Sequence, residues 1–177
     1  MEEKSTLRSF FEWILVIILA IAVALGIRHF ILSTTVVQGN SMNPTIESGD
    51  KIFVNRLKVR IGELNYEDIV EIHAPDREGV DYIKRIVGKP GDTIEIKNDN
   101  VYRNGEKLME DYTSTNKTLV PGKDSVWQLD EDEYMVLGDN RLPGESNDSR
   151  LFGPVKKDRI VGVAFFRFLP LSKMGNV

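Results

Sequence analysis

A serine and a lysine, far apart in the chain, have the right residue types for hydrolysis without histidine. Ser41 stands in the run Gly39-Asn40-Ser41-Met42-Asn43-Pro44-Thr45-Ile46. Gly, Asn, Ser and Pro are turn formers, so the run reads as a turn. Met42 does not fit a plain linker, because it is an exposed-looking apolar residue in a polar stretch. Lys84 sits in a strand-like segment, residues 80–87, where alternation places Val80, Tyr82, Lys84 and Ile86 on one face. Asp81, Ile83, Arg85 and Val87 take the other face, so Lys84 is the one charge in an otherwise apolar row. Such a lysine can lay its stem on apolar surface and keep its head in water. A desolvated lysine instead loses its proton more readily and can act as general base for a serine nucleophile. On the residues alone, both readings stand.

Other chemistries have weaker support. The run around Ser41 is half of a G-x-S-x-G elbow, but it ends in Asn43 and no strand-to-helix turn follows. A Ser-His-Asp triad would have to use His73, whose neighbours make it a strand-end residue, since His29 adjoins the apolar segment. With no cysteine and two histidines, disulfides and thiolate metal sites are excluded. Asp130-Glu131-Asp132-Glu133 reads as a solvated turn, and Arg141 stands where a calcium loop wants an oxygen ligand. No metal and no cofactor is expected. A net charge of -4 offers no basic stripe for nucleic acid.

Something must hold the serine and lysine, and 177 residues with 41% apolar content make one ordinary domain plus an appendage. The appendage comes first. Residues 13–27 are uninterrupted apolar and reach about 22 Å as a helix. Extended to Phe10 and Leu32 the segment reaches about 34 Å, enough for a hydrocarbon core of roughly 30 Å. Glu12, Arg28 and His29 then lie near the ends, where they can reach headgroups, and Trp13 and Phe30 suit the interfaces. Ala22-Val23-Ala24 has a small-x-small pattern, but no polar region precedes it, so the segment reads as an uncleaved anchor. Lys4 and Arg8 precede the span, and after Arg28 the next basic residue is Lys51. That bias puts residues 1–9 in the cytoplasm, the anchor at 10–32 and a domain at 33–177 outside.

After Ser33 the period becomes two. Strands are expected at 34–38, 51–57, 68–73, 80–87, 93–97, 100–103, 134–137 and 160–168, with a hairpin turn at Asn98-Asp99. Residues 110–128 show no period and read as a surface loop. No segment after the anchor reads as a long amphipathic helix, so the fold is mainly β, as paired antiparallel sheets or a barrel.

Three blocks then resemble a known family. Ser41-Met42-Asn43-Pro44-Thr45, Tyr82-Ile83-Lys84-Arg85-Ile86-Val87-Gly88-Lys89-Pro90-Gly91-Asp92, and Gly138-Asp139-Asn140-Arg141 with Ser146-Asn147-Asp148-Ser149-Arg150 are similar to the type I signal peptidases. Their order, their spacing and the amino-terminal anchor match, from the anchor to about Phe166. The resemblance implies a membrane-bound Ser/Lys endopeptidase that removes signal peptides from exported preproteins. It implies Ser41 as nucleophile, Lys84 as general base, Ser146 as a hydrogen-bond partner of the lysine, and Asp148–Arg150 as a supporting salt bridge. Asp139 belongs to the same supporting block, whose carboxylates and arginines are too many for one loop unless they pair. Val37, Ile46 and Ile83 are implied as walls of shallow apolar substrate pockets. The compact domain looks like the smaller Gram-positive enzymes. Many larger relatives carry a serine two residues before the nucleophile, and here that position is Gly39, without a side-chain donor for an oxyanion. Alternatives of other kinds are an anchored, non-catalytic binding domain of the same fold and a self-cleaving Ser/Lys regulator. The latter lacks a DNA-binding region here.

Overall fold

A helix with nothing packed over it opens the chain. The computed structural model describes residues 3–120 and 125–177. Helix α1, Glu3–Phe30, has 28 residues and is about 42 Å long. Its apolar window Ser9–Gly26 has a mean hydropathy of 2.4 and no buried residue. Phe10, Trp13, Leu15, Leu19 and Leu25 are all well exposed. A core helix of a water-soluble domain would bury that surface, so this helix is not part of the domain's core. The side chains of Lys4, Arg8, Arg28, His29 and Phe30, expected at the ends of the span, lie outside the described residues.

The rest is strand with short helices. In order come β1 (Leu32–Val36), β2 (Lys51–Asn55), α2 (Leu57–Ile61), β3 (Ile69–His73), β4 (Asp81–Gly88), β5 (Thr93–Lys97), β6 (Asn100–Arg103) and β7 (Glu106–Lys107). Then follow β8 (Ser125–Gln128), β9 (Glu133–Leu137), α3 (Ser149–Phe152), β10 (Val155–Lys156), β11 (Ile160–Leu169) and β12 (Gly175–Asn176). Among the described residues they form two sheets: β1-β2-β11-β3-β4-β9-β10 with β12 beside β11, and β7-β6-β5-β8. All pairings are antiparallel. The fold is therefore mainly β with paired antiparallel sheets after one amino-terminal apolar helix, as the period of the sequence predicts.

Some boundaries differ. The first strand begins and ends two residues early, and residue 57 opens α2 instead of closing β2. Asn55 makes that turn: its Oδ1 accepts from the N–H groups of Leu57 and Lys58. A five-residue helix is too short to show a 3.6 period. The expected loop 110–128 ends in a strand, β8, that pairs with β5; residues 121–124 of it lie outside the described residues. At Asn98-Asp99 both φ angles are positive, 48° and 62°, the backbone that a tight hairpin turn demands.

Two features of the large sheet matter for the site. First, the steps β1-β2, β2-β11, β11-β3 and β3-β4 each reverse direction, so β1 and β4 run parallel. Second, β9 pairs with β4 only at Arg85, Ile86 and Gly88, which leaves the edge of residues 81–84 unpaired on that side. Strand β4 also separates apolar clusters: Ile86 packs with Val70, Ile72 and Val136, and Ile83 with Val37, Met42, Ile52 and Ile69. Buried on both faces, β4 is held rigidly.

Packing across the sheet centre leaves no spare room at Gly162 on β11. A Cβ there would lie 2.5 Å from Val54 Cγ1 and 3.1 Å from the Asn55 carbonyl oxygen. Gly162→Ala is expected to destabilise the domain by about 1–3 kcal/mol, the usual cost of overpacking. Thermal melts of the two proteins check it, and an unchanged midpoint would contradict this packing.

Candidate active site

The loop after β1 carries Ser41, and the core fixes that loop. Asn43 N–H donates to Asn40 O and Ile46 N–H to Met42 O, two turns that point Met42 and Ile46 inward. Both are fully buried with Val37, Ile52, Val54, Ile69, Ile83 and Ala164. Met42, exposed-looking in the sequence, is thus an anchor. The loop is also held from the side of Gly138-Asp139-Asn140: Asn140 N–H donates to Ser41 O at 3.0 Å, and Asn140 Nδ2 to Asn40 O at 3.0 Å. Thr45 Oγ1 donates to Asp139 Oδ2.

Lys84 meets Ser41 across this junction. Its Nζ lies 2.9 Å from Ser41 Oγ and 2.9 Å from the carbonyl oxygen of Ile83, and 5.0 Å from the centre of the Tyr82 ring. Lys84 is 2% exposed. Burial is the largest influence on it and pulls its pKa from 10.5 down to about 8. Asp148, Asp76 and Asp139 oppose that fall, and Arg150 adds to it. A neutral amine within hydrogen-bond reach of a serine hydroxyl can take that proton as Oγ attacks an electrophile.

Two of the three carboxylates that act on the lysine are paired with arginines, while Asp76 accepts, among the described residues, only from the Tyr82 hydroxyl and Asn147 Nδ2. Arg85 Nε and Nη2 donate to Asp139 at 2.9 and 2.6 Å, and the Tyr112 ring covers the guanidinium at 4.1 Å. Arg150 Nε and Nη2 donate to Asp148 at 2.8 and 2.7 Å, the salt bridge implied by the resemblance. Burial alone would raise the Asp148 pKa, but the Arg150 bonds and charge and the Gly138 N–H outweigh it and hold the carboxyl below its usual range. Arg141 does not pair within its own loop. It donates to Glu110 and Thr118.

Of the remaining expected residues, Val37 and Ile83 line a cleft of about 680 Å³ together with Ser41 and Lys84. Ile46 does not reach it; turned inward by its bond to Met42 O, it is fully buried beneath the cleft. The bond expected from Ser146 to the lysine is not made. Ser146 Oγ is buried beside the Asp148 carboxylate, which it helps to hold low without a well-formed hydrogen bond, and packs against Gly138, where a Cβ would fall 2.3 Å from it. Gly39 has φ +88°, a conformation that strains any L side chain, and its N–H donates to Ser48 Oγ at 3.3 Å. Sequence reasoning missed Arg85, Glu110 and Tyr112. Arg85 follows Lys84 directly, and alternation assigns one of such a pair to solvent; only burial of β4 on both faces hides both.

The buried lysine makes stability depend on pH. Below pH 8 both folded and unfolded chains hold the proton, so the full cost of burying the charge is present. Between 8 and 10.5 the unfolded chain binds a proton that the folded chain has lost, so stability rises with pH. The stability difference between the wild type and Lys84→Met should shift by about 3 kcal/mol in favour of the wild type from pH 7 to pH 11. Denaturant unfolding of both at the two pH values measures it, and a constant difference would mean that Lys84 is not depressed.

Residues 10–169 match the family described as signal peptidase, peptidase S26. The chain is 42% identical to a signal peptidase I of Bacillus amyloliquefaciens over 97% of its length and 93% of that protein. It is 36% identical to signal peptidase IB of Staphylococcus aureus over 92% of this chain and 91% of that one. Among solved structures, a signal peptidase I from Enterococcus faecalis V583 is 35% identical and covers 58% of this chain and 97% of its own, with a TM-score of 0.49.

Proposed function

This chain belongs to the signal peptidase family, peptidase S26, and from that premise we propose that Ser41 and Lys84 are the catalytic pair. The chain is a serine endopeptidase, a signal peptidase I, and its substrates are the signal peptides of preproteins. The observation that carries the assignment is the 2.9 Å approach of Ser41 Oγ to an amine that is 2% exposed.

The chemistry follows from the geometry. Neutral Lys84 accepts the Ser41 hydroxyl proton while Oγ bonds to the scissile carbonyl carbon. Charge collects on the carbonyl oxygen, where the N–H of Ser41, not engaged by any described group, is the backbone donor at hand. Lys84 then passes the proton to the leaving amine as the peptide bond breaks, leaving the acyl group on Ser41. A water gives its proton to Lys84 and attacks the ester, freeing the carboxylate and returning Ser41 its hydrogen. We assign Ser146 as acceptor for a further N–H of Nζ, which would give its buried hydroxyl a partner. Asp139 with Arg85 and Asp148 with Arg150 are positioning pairs that fix the two loops. Gly39 adds no side-chain donor to the oxyanion, so the backbone carries that task.

Substrate lies in the cleft. The edges of β1 and of residues 81–84 are parallel and unpaired, and both lead toward Ser41, so an extended peptide can add between them as a strand. Val37 and Ile83 form the floor under the first and third residues before the cut, and Ile46 supports that floor from below. The apolar helix associates the chain with a membrane. We propose that residues 10–32 cross the bilayer once, with 1–9 cytoplasmic and the domain 33–177 on the outer side, as the early lysine and arginine favour.

Cleavage should rise with pH along a limb whose midpoint is the Lys84 pKa, about 8, because the neutral amine is the active form. Ser41→Ala should lower kcat/KM by roughly a thousandfold or more. Lys84→Arg should do the same, since a guanidinium keeps its proton. A preprotein assay from pH 6 to 10 tests all three, and full activity in either variant would sink the pair. Specificity gives a separate check. Shallow pockets exclude bulk by overlap, so Ala should be preferred at the first and third positions, and Ile83→Ala should admit larger side chains. Unchanged selectivity across a peptide panel would move the pocket elsewhere.

A further inference from the structure

One charged residue on the cleft's inner face has no part in the chemistry above. Glu71, on β3, lines the cleft with Ser41, Val37 and Ile83, although it is only 4% exposed. It pairs with Ile83 across the β3–β4 ladder, so the two side chains stand next to each other on one face. Thr35 on β1 reaches across and donates its hydroxyl to Glu71 Oε1 at 2.5 Å. The other oxygen, Oε2, has no partner among the described residues, yet it is not sealed from solvent. It therefore opens into the cleft. Arg77 also lines the cleft but is exposed and makes no ion pair with Glu71, and Asp81 is engaged by His73 at 2.7 Å. A buried carboxylate held by one hydroxyl and open on its second oxygen is an acceptor waiting for a donor.

Its place along the cleft fixes which substrate residue it meets. Thr35 on β1 and Val37, just after its end, face inward two residues apart, and Thr35 is farther from Ser41. A peptide lying alongside as a strand advances at the same rate, about 6.6 Å per two residues, and presents alternate side chains to the floor. The Glu71 backbone is level with Ile83, but the bond from Thr35 draws its carboxylate to the level of Thr35, one two-residue step back from Val37. With Val37 and Ile83 beneath the first and third residues before the cut, that step reaches the fifth.

We propose that Glu71 is a specificity residue: it selects a hydrogen-bond donor, and most strongly a cationic side chain, at the fifth residue before the cleavage point. This rests on the substrate cleft assigned above. The floor thus changes character along its length, apolar beneath the first and third positions and anionic beneath the fifth. A lysine there completes the Glu71 carboxylate with a charge-assisted hydrogen bond, serine or threonine gives a weaker one, and glutamate meets like charge.

The test uses the full chain in detergent micelles and signal peptides that differ only at the fifth position: Ala, Ser, Lys, Leu or Glu. The wild type should cleave the Lys peptide roughly tenfold or more faster than the Glu peptide in kcat/KM, the worth of one charge-assisted bond. In Glu71→Gln that ratio should fall to near one while Ser remains favoured over Leu. Glu71→Asp, which keeps the charge, should keep the direction of the preference. A flat wild-type panel overturns the proposal, as does a Glu71→Gln enzyme that slows on every peptide with its Lys-to-Glu ratio intact. Binding of the same panel to Ser41→Ala, read by fluorescence anisotropy, asks the question without turnover. A wild type that binds with the Lys preference but cuts nothing would count against the Ser41–Lys84 assignment and leave this subsite standing.

Discussion

The constraint on which the molecule depends is an amine buried without a carboxylate of its own. A lysine in an apolar interior normally acquires an acidic partner, and that partner would raise its pKa and end its use as a base. Asp148, Asp76 and Asp139 all act on Lys84. Asp76 is exposed to solvent, which screens it, and the candidates inside the fold are Asp139 and Asp148. Each is already taken by an arginine in a two-point contact. An ion pair seen from outside is close to neutral, so the upward pull of each carboxylate is largely offset. What remains is desolvation, the first of the influences on Lys84. The arginines thus keep the lysine electrically isolated as much as they staple loops together.

That arrangement costs stability, because buried ion pairs seldom repay the loss of water in full. The compensation is geometric. Gly138 donates its N–H to Asp148 and accepts from Arg141 Nε at its carbonyl, and a Cβ on it would press to 2.4 Å from the Ser41 carbonyl oxygen. At Gly138 the serine loop and the arginine-rich loop therefore lie backbone against backbone, with Asn140 and Asp139 bonding across on either side. A hydroxyl that must stay within 2.9 Å of an amine needs this kind of support, since small misplacements of reacting groups are expensive in rate.

The sequence made the large outline legible where one face of an element is buried and the other is not. Strands β2, β5 and β6 alternate cleanly and were expected within a residue or two. Strands β3, β4 and β9, buried on both faces, were placed within a residue by their β-rich composition, but there period two could not say which side chains are hidden. The short strands β7, β8, β10 and β12 were not expected at all. Lys84 stood out because its row is apolar, while Arg85 beside it looked like an ordinary outward charge and is 7% exposed. Met42 and Ile46 show the opposite error. Met42 looked exposed among turn residues and Ile46 was expected as a pocket wall, and only the return bonds within the loop tuck both under the cleft. Glu110 and Glu71 could not be picked out, because one acidic residue among 27 announces itself only by what it faces. In the charge-rich block from 139 to 150 the Asp148–Arg150 pair was expected and is formed, but the other partners were not readable: Asp139 and Arg141 reach outside the block to Arg85 and Glu110.

The cleft has a consequence for where cutting occurs. An unpaired strand edge is a hazard in a soluble domain, because it invites other chains to add to it. Here two such edges face one gap, and both lead to Ser41. Helix α1 ends at Phe30 and β1 begins at Leu32, so no flexible linker separates anchor from cleft. With α1 in the bilayer, the far end of the cleft starts at the membrane surface. From Leu32 to Ser41 a fully extended chain spans no more than about 30 Å. A substrate whose apolar segment is in the same bilayer must leave it extended to enter this gap. On the proposed substrate path its residues meet first the Thr35–Glu71 floor, then Val37 and Ile83, and last the serine. On the proposed assignment of α1 as the anchor and Ser41 as the nucleophile, the distance between them sets a ruler, and Ser41 reaches only a bond that lies that short way beyond the membrane. Selection by position comes from the length of chain through β1, and selection by side chain from the residues of β1, β3 and β4 that floor the same gap.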